Sequence, residues 1–307
     1  MEHYLDVLAR ENKNLILPKV ADQFEAVLSK DLSPNDYHSS MEFVSSSGLK
    51  EIAKNSPRHF INMLCENQFG KTEEEPEHFR FGRIAHMMLL EPSKFRERYI
   101  AMPDFGDMRS KINREAKEAW TKDQPKDAIL LNQKEMDDLT KMAGSILSNP
   151  IAKKVLSEGM VESSLFWKDS ETNILCRARP DIFQIGGYVV DFKTTQDSSP
   201  GIFSNSIRTY RYDLQLAFYY DAVKLVTGKE PEAAVIIACE KKPPFDTGIY
   251  MLDDEALEIG RQWYKQALRI LKICLEKNKW PGRQARAQMI SLPRWSQGDS
   301  FPEFNFD

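Results

Sequence analysis

The chain has 307 residues, 41% of them hydrophobic, with 42 Lys and Arg against 46 Asp and Glu and a net charge of −4. That length and apolar content suit one large domain or two small ones with a real core. The slightly acidic balance excludes a protein that coats nucleic acid by bulk charge, but not an enzyme that gathers its cations in one channel.

Residues 1–31 read as an N-terminal arm, 32–282 as the main domain and 283–307 as a C-terminal tail. The first residues, Met1 to Leu17, are polar and lack a signal-peptide pattern. Phe24, Val27 and Leu28 suit a short amphipathic helix approached past Pro18. The turn formers around Ser33-Pro34-Asn35-Asp36 predict a loop. Ser45, Ser46 and Ser47 precede the helical pattern of Leu49, Ile52 and Ala53. A serine there is an N-cap candidate. A helix N-terminus also offers N–H groups to an anion, so Ser45 or Ser47 either caps the helix or holds a phosphate. Residues 70–78 predict an acidic surface loop. A helix follows over 81–91 and Pro92 ends it. His86 lies in an almost wholly apolar stretch, where both a core histidine and a metal ligand are open readings.

Residues 103–127 are highly charged. Arg109, Lys111, Arg114 and Lys117 precede Trp120, and form either a solvated segment or a basic cover over a nucleic-acid backbone. The spacing of Met136, Leu139, Met142, Ala143, Ile146 and Leu147 predicts a helix over 133–147. The period then changes. Strands are expected over 161–167, carrying Glu162, over 174–183 and over 188–194. A helix over 205–227 holds Gln215 and Tyr219 one turn apart, on one face. The continuous apolar run at 233–238 reads as a strand buried on both sides, and 248–252 as a further strand. A long helix spans 254–277, with Ile259, Trp263, Ala267, Ile270, Leu271 and Cys274 on its buried side. Cys65, Cys176, Cys239 and Cys274 form no CxxC pair, so a reduced cytoplasmic setting is expected. No run of about 18 apolar residues predicts a membrane span. The order predicts a mixed α/β (α+β) fold, a mixed central sheet flanked by helices.

The most informative stretch is Arg179-Pro180-Asp181, then Ile182-Phe183-Gln184-Ile185, the pair Gly186-Gly187, and a second apolar run ending Asp191-Phe192-Lys193. It reads as a β-hairpin. Asp191 and Lys193 share a face, with Phe192 opposite. A two-residue Gly-Gly loop would set Asp181 against Phe192. A three-residue loop, Ile185 to Gly187 with one glycine left-handed, would set it against Asp191. We expect the second, or an equivalent bulge near Pro180. Two opposed carboxylates repel. A divalent cation between them, with a lysine beside it, would make a phosphodiesterase centre.

Four features then stand in chain order: Gly82-x-x-x-His86 on a helix, Glu162 on a strand, Asp181 with Asp191-Phe192-Lys193 on the hairpin, and Gln215-x-x-x-Tyr219 on the next helix. Together they resemble the PD-(D/E)xK nuclease superfamily in its RecB-like branch. The motifs Leu32-Ser33-x-x-x-Tyr37-His38, Ser45-x-Ser47-x-Leu49-Lys50, Gly82-Arg83-x-x-His86 continuing to Glu91-Pro92, and Lys193-Thr194-Thr195 are similar to RecE-type recombination exonucleases. The resemblance implies a restriction-endonuclease-like core. Asp191 stands where that superfamily most often has Glu.

The resemblance also implies metal-dependent hydrolysis of DNA, with Mg²⁺ or Mn²⁺, two per site. His86, Asp181, Asp191 and the Phe192 carbonyl would be ligands. Lys193 would activate or orient water, neighbouring positive charge favouring its neutral form. Glu162 would stand at the edge of the centre, and Gln215 and Tyr219 would position the DNA backbone or the lysine. Ser45, Ser47 and Arg58 become candidates for a 5′-phosphate pocket, and Arg83, Arg109 and Lys111 for DNA contacts. The implied substrate is linear double-stranded DNA, digested 5′ to 3′ by a homo-oligomeric ring that supplies 3′ tails to a single-strand annealing recombinase. The implied setting is bacterial or phage-encoded, with no membrane. The rivals are a RecB-like nuclease of a CRISPR or repair system, a restriction-type endonuclease and a non-catalytic DNA-end-binding module.

Overall fold

Ala234, Ile236 and Ala238 alternate with Val235, Ile237 and Cys239 along one strand, and the two sets lie in two different cores. That strand is the spine of the computed structural model, which describes residues 15–69 and 77–283, and Met289. The expected tail apart from residues 283 and 289, most of the acidic loop at 70–78 and residues 1–14 of the arm lie outside the described residues.

The strands are β1 (Val27–Ser29), β2 (Tyr99–Ala101), β3 (Ile129–Leu131), β4 (Met160–Val161), β5 (Ser164–Lys168), β6 (Leu175–Ala178), β7 (Ile182–Phe183), β8 (Tyr188–Thr195), β9 (Ala233–Glu240) and β10 (Thr247–Met251). The helices are α1 (Pro34–Ser39), α2 (Ser46–Lys54), α3 (Pro57–Phe69), α4 (Glu77–Leu90), α5 (Pro92–Arg98), α6 (Lys111–Lys122), α7 (Gln133–Ser148), α8 (Pro150–Ser157), α9 (Pro200–Tyr210), α10 (Tyr212–Thr227) and α11 (Asp254–Lys277). The main sheet has the order β10-β9-β8-β7-β4, with β8 and β9 parallel and the other pairs antiparallel. A second sheet, β1-β5-β6, is antiparallel, and β2 pairs with β3 in parallel. Leu214, Phe218, Leu268 and Leu271, from α10 and α11, fill the core on one face. Ile84, Leu139, Met142 and Ile146, from α4 and α7, fill the other. The expected mixed sheet with helices on both faces is therefore the observed one.

Several elements differ from expectation for physical reasons. The segment 161–167 is two strands in two sheets, and Glu162 sits in the break with φ +48° rather than on a strand. The segment 174–183 breaks at Arg179-Pro180-Asp181, where Pro180 offers no ladder donor. The chain thus crosses between the sheets twice, and the crossings touch: Glu162 N–H donates to the Asp181 carbonyl at 3.0 Å. The helix expected near Phe24 to Leu28 is instead the edge strand β1 on β5. The loop predicted around Pro34 is the short helix α1, with Ser33 Oγ accepting from Asp36 N–H. Pro92 ends α4 and also opens α5. The helix expected over 205–227 breaks at Arg211, which is left-handed at φ +55°. Ile259 and Trp263 on α11, and Leu147 on α7, are exposed rather than buried.

Candidate active site

The hairpin register follows from its turn. Ile182 pairs with Val190 and Phe183 with Val189. Gln184 N–H then donates to the Tyr188 carbonyl at 2.9 Å, leaving Ile185, Gly186 and Gly187 as the loop. Gly186 has φ +73°, a region that glycine enters without steric cost. This is the three-residue turn expected, and continuing its register sets Asp181 across from Asp191. Asp181 Oδ2 reaches over to accept the Phe192 N–H at 2.6 Å.

His86 arrives from the other side. A Cβ on Gly82 would lie 3.0 Å from Thr194 Oγ1, so glycine lets α4 press against the end of β8. One turn later His86 Nε2 stands 3.0 Å from Asp181 Oδ1 and 3.5 Å from Glu162 Oε1. The ligand atoms of His86, Glu162 and Asp181 all lie within 4.8 Å of one another. Burial opposes charge on the imidazole, but Asp181 and then Glu162 outweigh it and raise its pKa to about 9. Burial and the Asp181 charge push Glu162 up to about 7. Burial also acts to raise Asp181, yet His86, Lys193 and the Phe192 N–H prevail and hold it below its ordinary value. One imidazole and two crowded carboxylates, one of them with much reduced acidity, are a donor set that a divalent cation fits. Glu162, expected only at the edge, is a full member of this cluster. Asp191 is not.

Asp191 belongs to a second network. Its carboxylate is fully buried, and Lys193 Nζ approaches Oδ2 to 2.5 Å. Gln215 Nε2 donates to Asp191 Oδ1 at 3.1 Å and to the Tyr219 hydroxyl at 3.0 Å. Lys50 Nζ donates to Gln215 Oε1 at 2.8 Å. Burial works against charge on Lys193, but Asp191 and Asp181 exceed it and keep the ammonium protonated. The Tyr212 ring lies beneath both lysines, 5.0 Å from Lys193 Nζ and 5.9 Å from Lys50 Nζ. Burial and the charge of Lys193 lower Lys50 to about 8.

Beside Glu162 and Asp181 opens a pocket of roughly 540 Å³. Ser45, Ser46 and Ser47, at the start of α2, line it with Arg177 and Arg179. Ser45 is the N-cap of α2, but its side chain makes no cap hydrogen bond. Arg177 and Arg179 are buried, 4.8 and 4.3 Å from the centre of the Tyr37 ring, and Arg177 Nε has no hydrogen-bond partner. Glu162 and Arg179 also line a second, larger recess of roughly 1030 Å³, together with Ser33, Met87 and Glu91.

The other expected contacts are dispersed. Arg58 packs against Gly282 and does not line the pocket. Arg83 is exposed on α4. Arg109 and Lys111 are exposed at the start of α6, where Lys111 pairs with Glu115 at 3.6 Å. Sequence reasoning assigned no role to Arg177 and Arg179. Period two was the available signal, since residues 177, 179 and 181 would share one face of the strand expected over 174–183. Lys50 stood in the motif Ser45-x-Ser47-x-Leu49-Lys50, but with no role attached to it.

Residues 45–293 match the family model described as a PDDEXK-like domain of unknown function (DUF3799). The fold is similar to that of a crystal structure of a candidate exonuclease from Eubacterium rectale, with TM-score 0.57 and 15% identity, covering 88% of this chain and 99% of that one. Among curated proteins none matches. No helix among the described residues is long and apolar enough to cross a membrane.

Proposed function

The chain belongs to this PDDEXK-like family, and from that premise we propose that it is a divalent-cation-dependent nuclease that shortens linear double-stranded DNA from its ends. The observation that carries the reading is the convergence of His86, Glu162 and Asp181 within 4.8 Å, beside the Lys193–Asp191 ion pair. Hard oxygen donors favour Mg²⁺ or Mn²⁺. His86, Glu162 and Asp181 would hold the ion, with Asp191 and the Phe192 carbonyl as further ligands if a second is taken up. When bound, the cation supplies charge to the phosphate and activates water.

The chain's own groups do the rest. The Lys193 ammonium places a second positive charge where the pentacovalent phosphate gains negative charge. Asp191 fixes that ammonium, and Gln215 fixes Asp191. Arg177, Arg179 and the N-terminus of α2 make the adjoining pocket a receptor for a terminal phosphate. Ser45 and Ser47 would contact it. An end-directed cut is also in keeping with the exonuclease designation of the Eubacterium rectale protein. Digestion from the 5′ end, a ring-shaped homo-oligomer around the duplex and a single-strand annealing partner rest on the RecE-type motifs.

The test is digestion of duplex DNA labelled at either end, with Mg²⁺, Mn²⁺ or EDTA. Early loss of the 5′ label from linear DNA, abolished by EDTA, is expected. Equal rates in EDTA would overturn the metal requirement. Release of the 3′ label first would reverse the polarity, and cutting of closed circles would turn the reading towards an endonuclease.

A further inference from the structure

Lys50 is a half-buried positive charge that makes no ion pair with a carboxylate among the described residues. Its hydrogen bond goes to the Gln215 carboxamide oxygen at 2.8 Å. An ammonium has three donors and no acceptor, so it can face only the oxygen end of that group. The nitrogen end, with two hydrogens, is then aimed at Asp191 Oδ1 and at the Tyr219 hydroxyl. If the group turned over, donor would face donor at Lys50 and acceptor would face acceptor at Asp191. Gln215 is 8% exposed and Asp191 fully buried, so little water is present to relieve either clash.

We propose that Lys50 is a positioning residue, which sets the orientation of the Gln215 carboxamide and thereby holds Asp191 in register beside Lys193. The proposal rests on the nuclease reading of the site. It ties three elements together: α2 supplies Lys50, α10 supplies Gln215 and β8 supplies Asp191. The shared Tyr212 ring keeps Lys50 and Lys193 on one support. A purely structural side chain at position 50 would be replaceable by an apolar one of equal length. A positioning lysine would not.

Two readouts test this. Hydrogen exchange of the Gln215 side-chain amide, followed by NMR on the full chain, should be slow in the wild type and roughly tenfold faster or more in Lys50→Met. Cleavage by Lys50→Met should fall roughly 10- to 100-fold in kcat with little change in KM. Lys50→Arg should recover most of that loss, and Lys50→Met combined with Gln215→Ala should be no worse than Gln215→Ala alone. Melting temperatures guard against simple unfolding. Unchanged amide exchange in a folded Lys50→Met, or additive losses in the double variant, would overturn the proposal. A wild type that cleaves nothing would instead defeat the nuclease reading, and amide exchange would still decide the role of Lys50.

Discussion

The site has two halves of opposite character. In the Lys193–Asp191–Gln215–Lys50 half every charge meets an opposite charge or a dipole. In the His86–Glu162–Asp181 half one imidazole serves two carboxylates, and Glu162 responds with a pKa near 7. In one half the charges are matched within the protein. In the other, two carboxylates crowd a single imidazole. The difference separates a network that the fold has closed from a cluster that a cation would suit.

The comparison breaks first if the closed half is expendable. Asp191→Ala and Lys193→Ala should each lower kcat by about 10²–10³-fold or more while DNA ends still bind, as followed by single-turnover cleavage and filter binding. Near wild-type rates in either would place the chemistry elsewhere. A second line concerns metal. In thermal melts, Mn²⁺ at 100 times its Kd should stabilise the wild type by about 2.7 kcal/mol. Asp181→Asn and His86→Ala should lose most of that gain, and Gln215→Ala should keep it. Equal losses in all three would merge the halves.

A third test uses pH on metal-free protein. His86 and Glu162 both have folded pKa values above their ordinary ones, so the folded state binds more protons than the unfolded state. Their contribution is fully present below about pH 4.5 for Glu162 and 6.5 for His86. It fades as pH rises through about 7 and about 9, respectively. Urea titrations should show this fall, and His86→Gln should flatten its upper part. The smallest effect belongs to Gly82→Ala. Helix propensity favours alanine by about 1 kcal/mol, but Thr194 Oγ1 must move aside. Activity should drop a few-fold with stability unchanged or slightly higher, which separates His86 placement from folding.

Much of this was legible in residues alone. The continuous apolar run of β9 and the periodic pattern of the 254–277 helix were plain, and the Gly pair marked the turn while leaving two registers open, of which the expected one brings Asp181 to Asp191. The breaks were hidden. Val161 to Trp167 has strand composition throughout, and the left-handed turn at Glu162 is imposed by the Asp181 carbonyl and the second sheet. Arg211 breaks a helix without glycine or proline, in a region where Arg211 Nη2 pairs with Asp213 at 2.9 Å. Lys50 was visible as the end of the Ser45-x-Ser47-x-Leu49-Lys50 motif, but its role was hidden because a lysine on an amphipathic helix is ordinarily a solvated one. Its partner lies 165 residues away along the chain.

The two crossings between the sheets meet at a single backbone hydrogen bond, from Glu162 to Asp181. That contact joins the two crossings, beside the bonds from Arg179 to Ser164 Oγ. Both residues of that contact also contribute carboxylates to the cluster with His86. Parting the sheets there would open the fold and spread the ligands in one movement. Loosening for flexibility and loss of the centre are therefore the same event at this point in the chain.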